Sequence, residues 1–249
     1  MSEAGGRWDG DNTPGAIEAV LSRSLGGAQT PYDWLARAVS DSAVRVLDLA
    51  CGAGAMIDRL AKPGRLVVGL DLSPAELGEA RLRGRGPLVQ ADGNYLPFQD
   101  EYFDAVVSSI GLAVVPDRER LFSEVSRVLR PGGVFAGLTP SLRPLNIENA
   151  RLLSRLSSHL RRTAQLPGFV EFKAKKMLGS VGLTKSEDSR ARYFFEVHGP
   201  NDAEILFDGL RAPKDPTRRA AATAFLLSRA DRHGSVRVPL PMRRITAIK

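Results

Sequence analysis

Apolar and polar positions alternate between two rhythms along the first 140 residues. Short apolar runs at about 44–49, 66–70, 88–91, 103–109 and 134–138 have the length of buried strands. The run at 103–109 is nearly continuous, as in a strand covered on both faces. Segments with helical spacing lie between them. A helix over about 53–61 buries Met56, Ile57 and Leu60, and Pro63-Gly64 ends it. Ser73-Pro74-Ala75-Glu76 opens a second, with serine at the N-cap, proline at the first helical position and glutamate at the third. Asp117 caps a third, whose Leu121, Val125, Val128 and Leu129 form one apolar stripe. Pro131-Gly132-Gly133 turns the chain into the fifth strand. Strands alternating with helices predict right-handed crossovers and a mostly parallel sheet.

The flanking segments carry a different rhythm. Ile17, Val20, Leu21 and Leu25 follow helical spacing, and Pro31 opens a short helix with Trp34, Leu35 and Ala38. Within residues 140–166 a basic helix places Leu152, Leu153, Leu156 and Leu160 on one side, with Arg151, Arg155, Arg161 and Arg162 elsewhere. Residues 169–181 read as another helix, 192–198 as a sixth strand, 199–233 as two helices and 243–248 as a final strand. The expected organisation is an N-terminal helical cap over 1–40 and a second unit over 41–249, with insertions at about 140–166 and 199–233.

Composition narrows the class. The chain has 249 residues, 43% of them hydrophobic, which fits one α/β core. No apolar run approaches the roughly 18 residues that span a bilayer, and the polar, glycine-rich Met1–Arg7 stretch does not read as a signal peptide. The single cysteine, Cys51, forms no intrachain disulfide and suits a reducing cytoplasm. A formal charge of +7 favours anionic partners or a solubilising surface. The basic residues are scattered and lack interleaved aromatics, so nucleic acid is not the expected partner. The histidines, His159, His198 and His233, show no metal-ligand spacing.

The chemistry concentrates at Val46-Leu47-Asp48-Leu49-Ala50-Cys51-Gly52-Ala53-Gly54-Ala55-Met56. A buried strand ends in an acid, a turn of small residues follows, and a helix begins. Such a turn lets a ligand approach the backbone, and the helix start offers free N–H groups. Val67–Asp71 and Leu88–Asp92 repeat the strand-then-acid arrangement. Three carboxylates along one rim of parallel strands describe a nucleoside-binding crevice. A dinucleotide fingerprint would need glycine where Ile57 stands, and would leave Asp48 and Asp92 unexplained.

In the order and spacing of these segments the chain resembles the class I S-adenosylmethionine-dependent methyltransferases, in particular the small-molecule group of the ubiquinone pathway. The motifs are Val46–Met56, Val68–Ser73, Gln90–Phe98 with Phe103–Ser109, and Leu129–Gly133, spanning about residues 44–140. The resemblance implies a doubly wound, mostly parallel seven-stranded sheet with an antiparallel last strand, helices on both faces and helical cap insertions. It implies S-adenosylmethionine as cofactor. Asp48 and the backbone through Ala50, Gly52, Ala53 and Gly54 would hold the methionine end. Asp71 would accept from the ribose hydroxyls, Leu72 would pack on adenine, and Asp92 would accept from its amino group beside Gly93 and Asn94. Ser108, Ser109 and Ile110 would line the crevice near the methyl. Ala50 stands where many members have glycine, which a negative φ would accommodate.

The implied reaction is in-line methyl transfer to a small organic acceptor, plausible for secondary metabolism or cofactor synthesis. RNA or protein methylation, and cofactor binding without transfer, are the alternatives. The acceptor pocket would come from residues 1–40, 140–166 and 199–233. His198 and His159 are the candidates for a general base. The Arg151–Arg162 cluster is either a solvated face or a sensor of an anionic acceptor. Trp8, Tyr32 and Trp34 either cover the acceptor or anchor their segment to the core.

Overall fold

The computed structural model describes residues 13–113, 115, 117–143, 145–167 and 174–249. Trp8 and the first part of the helix expected from residue 169 lie outside them. Seven strands form one sheet in the order β3-β2-β1-β4-β5-β7-β6. They are β1 (Arg45–Leu49), β2 (Leu66–Asp71), β3 (Leu88–Gln90), β4 (Phe103–Ser109), β5 (Leu129–Pro140), β6 (Thr184–Val197) and β7 (Val236–Ile248). The first five pair in parallel, and β7 runs antiparallel between β5 and β6. This is the doubly wound sheet with a reversed last strand that the motifs imply.

The helices are α1 (Ala16–Ser22), α2 (Pro31–Ala36), α3 (Ala55–Leu60), α4 (Pro74–Leu82), α5 (Arg118–Val128), α6 (Ile147–Leu160), α7 (Ala174–Ser180), α8 (Pro200–Gly209) and α9 (Pro216–Leu227). Two apolar clusters cover the two faces of the sheet. One joins Val46 and Val107 to α1, α2, α3, α6, α8 and α9; the other joins Leu47 and Val106 to α5 and α7. Among the described residues, no helix is long and apolar enough to cross a membrane.

Four expectations about elements need correction. Leu25 lies beyond α1, and its backbone bridges to Phe194. Leu129 belongs to β5 rather than to the α5 stripe, although it is buried all the same. Pro131-Gly132-Gly133 does not precede β5 but bulges within it: Leu129 pairs with Phe103, and pairing resumes at Val134 opposite Ala105. Strands β6 and β7 start far earlier than residues 192 and 243.

The early part of β6 is polar because its partners are charged. The Arg243 guanidinium donates twice to Asp188, at 2.8 Å each, and Arg244 donates to both oxygens of Glu187. The Arg243 bonds hold the Asp188 carboxyl down to about 2. Pro239 and Pro241 lie within β7, where β5 has ended and β7 pairs only with β6. Pro241 turns its carbonyl to the β5 side, accepting from Ser141 N–H, so the missing N–H groups of both prolines face away from the β6 ladder.

Candidate functional site

Strand parity brings the chemistry together. Side chains alternate between faces with period two. Asp48 shares a face with Val46, Asp71 with Val67, and Ser109 with Ala105 and Val107, the face covered by α1, α2 and α3. The chain crosses over between β1 and β4, where the strand order reverses; that is where open α/β sheets leave a crevice. A pocket opens there, walled by Asp48, Asp71 and Ser109 from the strands and by the 50–53 turn. Gly15, Ile17, Glu18, Tyr32, Glu76 and Arg211 close it from the helical side.

Asp48 is 1% exposed, and neither carboxylate oxygen has a hydrogen-bond partner. Burial, reinforced by the Asp71 and Glu18 charges and only partly opposed by Arg85, pushes its carboxyl up to about 8. Asp71 is better supplied: Gly52 N–H donates to one oxygen at 2.8 Å and Ser73 N–H to the other at 2.9 Å. Burial still outweighs these bonds and raises it. Glu76, raised likewise by burial, accepts from Gly15 N–H at 3.0 Å, a bond that takes up the half of the α4 capping box that glutamate would otherwise return to its own N-cap. Glu18 is bound by Arg83 and Arg85, and Arg85 also donates to Ala53 O. Burial raises the Tyr32 phenol and the Cys51 thiol, so neither ionises at neutral pH.

The turn differs from its expected form. Ala50 has φ +56°, the left-handed region, rather than a negative φ. Gly52 at +55° and Gly54 at +88° adopt such angles without a Cβ clash. Ala50 does not, and its Cβ comes within 2.4 Å of where a Cβ on Gly111 would stand, so Gly111 makes room for it. The turn's amides are also partly engaged: Gly52 N–H serves Asp71, and Gly54 N–H bonds Cys51 O. A left-handed alanine costs about 1–2 kcal/mol, and glycine's extra freedom when unfolded offsets part of that. Ala50→Gly is therefore expected to raise unfolding stability by up to about 1 kcal/mol in urea titrations. A lowered midpoint would contradict this backbone assignment.

Of the expected ligand residues, Asp48, Ala50, Gly52, Ala53, Asp71, Ser109 and Ile110 line the pocket. Gly54 does not line it, standing just before α3 as its N-cap. Ser108 is turned to the opposite face with Val106, since adjacent strand residues cannot share one side. Leu72, Asp92, Gly93 and Asn94 follow β2 and β3 on the adjoining rim, outside the enclosed volume. Leu72 is half exposed, and Asp92 accepts from Asn94 N–H. The Asn94 side-chain oxygen is buried without a partner.

The histidine candidates lie away from the pocket. His198 follows the last residue of β6 at the far edge of the sheet, its side chain 59% exposed beside Asp202 and Glu196. His159 stacks on Phe225 at 5.0 Å, between α6 and α9. Neither lines the pocket, and among the described residues none of 140–166 lines it, because α6 packs on α9 and β7. The N-terminal aromatics divide: Tyr32 lines the pocket, whereas Trp34 packs on Tyr193 and under Arg244. Glu18, Glu76 and Arg211 went unmarked in the sequence; only the Glu76 capping signal singled out any of them. Among the described residues, no group of three His, Cys, Asp or Glu side chains could hold a metal ion.

Residues 47–137 match the methyltransferase-domain family. A demethylmenaquinone methyltransferase of Corynebacterium kroppenstedtii is 45% identical over 89 residues, covering 36% of this chain and 38% of that protein. The chain thus spans well under two thirds of the length of the curated relatives it matches, 35% to 49% for the first four. A solved protein of Bacillus halodurans superposes with a TM-score of 0.60 at 21% identity, over 88% of this chain and 98% of that one. A phosphoethanolamine N-methyltransferase of Haemonchus contortus, solved with S-adenosylhomocysteine, gives 0.56 at 19% identity over 94% and 56% of the two chains.

Proposed function

We propose, for a chain that belongs to the class I S-adenosylmethionine-dependent methyltransferase family, that it transfers the methyl group of S-adenosylmethionine to a small organic acceptor, as a cytoplasmic enzyme of secondary metabolism or cofactor synthesis. The unpartnered Asp48 carboxylate carries this reading. A buried carboxylate without hydrogen bonds is costly, and a ligand with cationic groups supplies the partner it lacks. The cofactor brings two, an ammonium and a sulfonium.

When bound, S-adenosylmethionine supplies a methyl group already activated on sulfur. The protein's part is to bind, orient and exclude water. Asp48 would hold the cationic amino-acid end. Asp71 has acceptor sites left beyond its two N–H bonds, since an ionised carboxylate offers about four, and these suit ribose hydroxyls. Leu72, Asp92, Gly93 and Asn94 would form the adenine side of the rim. Ile17, Tyr32 and Met56 close the pocket from the helical side. Its described lining contains no histidine, and Glu18 is held by two arginines. This favours an acceptor that arrives as an anion or neutral amine over an alcohol that must lose its proton to a base.

Calorimetry with S-adenosylhomocysteine, followed by transfer of radiolabelled methyl from S-adenosylmethionine, tests the reading. The expected result is saturable nucleoside binding, and label in a demethylquinone or another small organic acceptor rather than in total tRNA. NAD binding in place of S-adenosylhomocysteine would overturn the cofactor, and label in tRNA would overturn the acceptor class.

A further inference from the structure

We propose that Arg211, presented by the turn between α8 and α9, is the clamp for the α-carboxylate of the bound cofactor. This rests on the function proposed above. The first observation is backbone geometry. Helix α8 ends in a paired turn in which Arg211 N–H bonds Asp208 O at 2.9 Å and Ala212 N–H bonds Phe207 O at 2.8 Å. The residue at the Arg211 position of such a turn is left-handed and is usually glycine. Arg211 occupies it at φ +53°. Violations of a local backbone preference collect where a side chain is needed for function.

The second observation is how firmly that turn is held. Arg219 of α9, only 8% exposed, donates to Ala212 O at 3.0 Å and to Pro213 O at 3.1 Å, and pairs with Asp208 and Glu204. Thr13 donates to Asp208 and accepts from Lys214, tying the turn to the approach to α1. Arg211 is thus presented from a braced element, as a specific ligand contact requires.

Charge accounting supplies the third. Among the described lining residues, Arg211 is the one cation, set against Asp48, Asp71, Glu18 and Glu76. Glu18 is neutralised by Arg83 and Arg85. The cofactor's ammonium matches Asp48, but its carboxylate would be repelled by the acids of the lining unless a cation received it. Glu76 lies close enough to act on Arg211, and the Arg162 charge at the end of α6 also reaches it. A guanidinium offers the planar pair of donors that a carboxylate accepts.

The test compares S-adenosylhomocysteine with its decarboxylated analogue, which keeps the nucleoside, thioether and amine. Calorimetry on wild type is expected to show a preference for the carboxylated ligand of about tenfold or more, the worth of one charge-assisted contact. Arg211→Gly should reduce that preference to within about twofold, leave affinity for the decarboxylated ligand unchanged, and melt no lower than wild type because glycine suits the turn. Arg211→Lys should keep part of the preference. A preference that survives in Arg211→Gly overturns the clamp, and points to a carboxylate on the acceptor if KM for the acceptor rises instead. A surviving preference with a lowered melting temperature assigns Arg211 to a structural pair with Glu76. Wild type that binds S-adenosylhomocysteine without preference overturns this inference alone; wild type that does not bind it overturns the proposed function as well.

Discussion

Asp48→Asn is expected to weaken S-adenosylhomocysteine binding by about 30-fold or more while stabilising the ligand-free protein at pH 7. Both effects come from one buried, unpartnered carboxylate. Removing one member of a buried charged contact costs about 2–5 kcal/mol of binding. The stability effect has the opposite sign. The Asp48 carboxyl is raised by burial and by Asp71 to about 8, far above its unfolded range near 4. The folded state therefore holds a proton that the unfolded state has released. Its contribution is fully present below about pH 4 and is lost as pH climbs through 8. At pH 7 most of that loss, a few kcal/mol, has already been incurred. Asparagine carries no charge to desolvate and should flatten this part of the profile.

Binding inherits the same linkage. If the cationic ligand engages ionised Asp48, binding releases a proton below pH 8. The observed enthalpy should then vary with the ionisation enthalpy of the buffer, and affinity should rise with pH towards 8 and level off. Calorimetry in two buffers at pH 6, 7, 8 and 9, with urea titrations of both proteins, measures all three effects. Unchanged affinity in the variant, with no change in its pH dependence, would remove Asp48 from the ligand site.

Asp71→Ala is expected to damage fold and binding together. The carboxylate ties Gly52 of the turn to Ser73 at the start of α4. Hydrogen bonds to a charged acceptor contribute about 1.5–3 kcal/mol each, so losing both should lower unfolding stability by about 3 kcal/mol after the relief of its own burial. The ribose contacts proposed for the same oxygens would add a roughly tenfold or greater loss of affinity. A third readout separates these effects from simple unfolding. Asp71 is the largest charge acting on Asp48, so the Asp48 titration should move down in the variant. An unmoved midpoint, in a variant that remains folded, would mean that the two acids do not share one electrostatic environment.

What was legible in the primary structure was local. Apolar runs of strand length, small residues at the 50–54 turn and acids at strand ends follow from short-range rules of hydrogen bonding and backbone freedom, and they led to the sheet and to Asp48 and Asp71. Ser108 and Ser109 look alike as neighbours in the chain, but the period of a strand sends them to opposite faces, and only the register against Asp48 showed which one meets the pocket. The polar first half of β6 carried no hydrophobic signal, because its pairing with β7 is marked by Arg243 and Arg244 reaching acids more than fifty residues away. Glu18, Tyr32, Glu76 and Arg211 come from four separate helices or turns. They became neighbours only when long-range packing closed the chain around the crevice, and no pattern within a short window of sequence encodes a meeting of that kind.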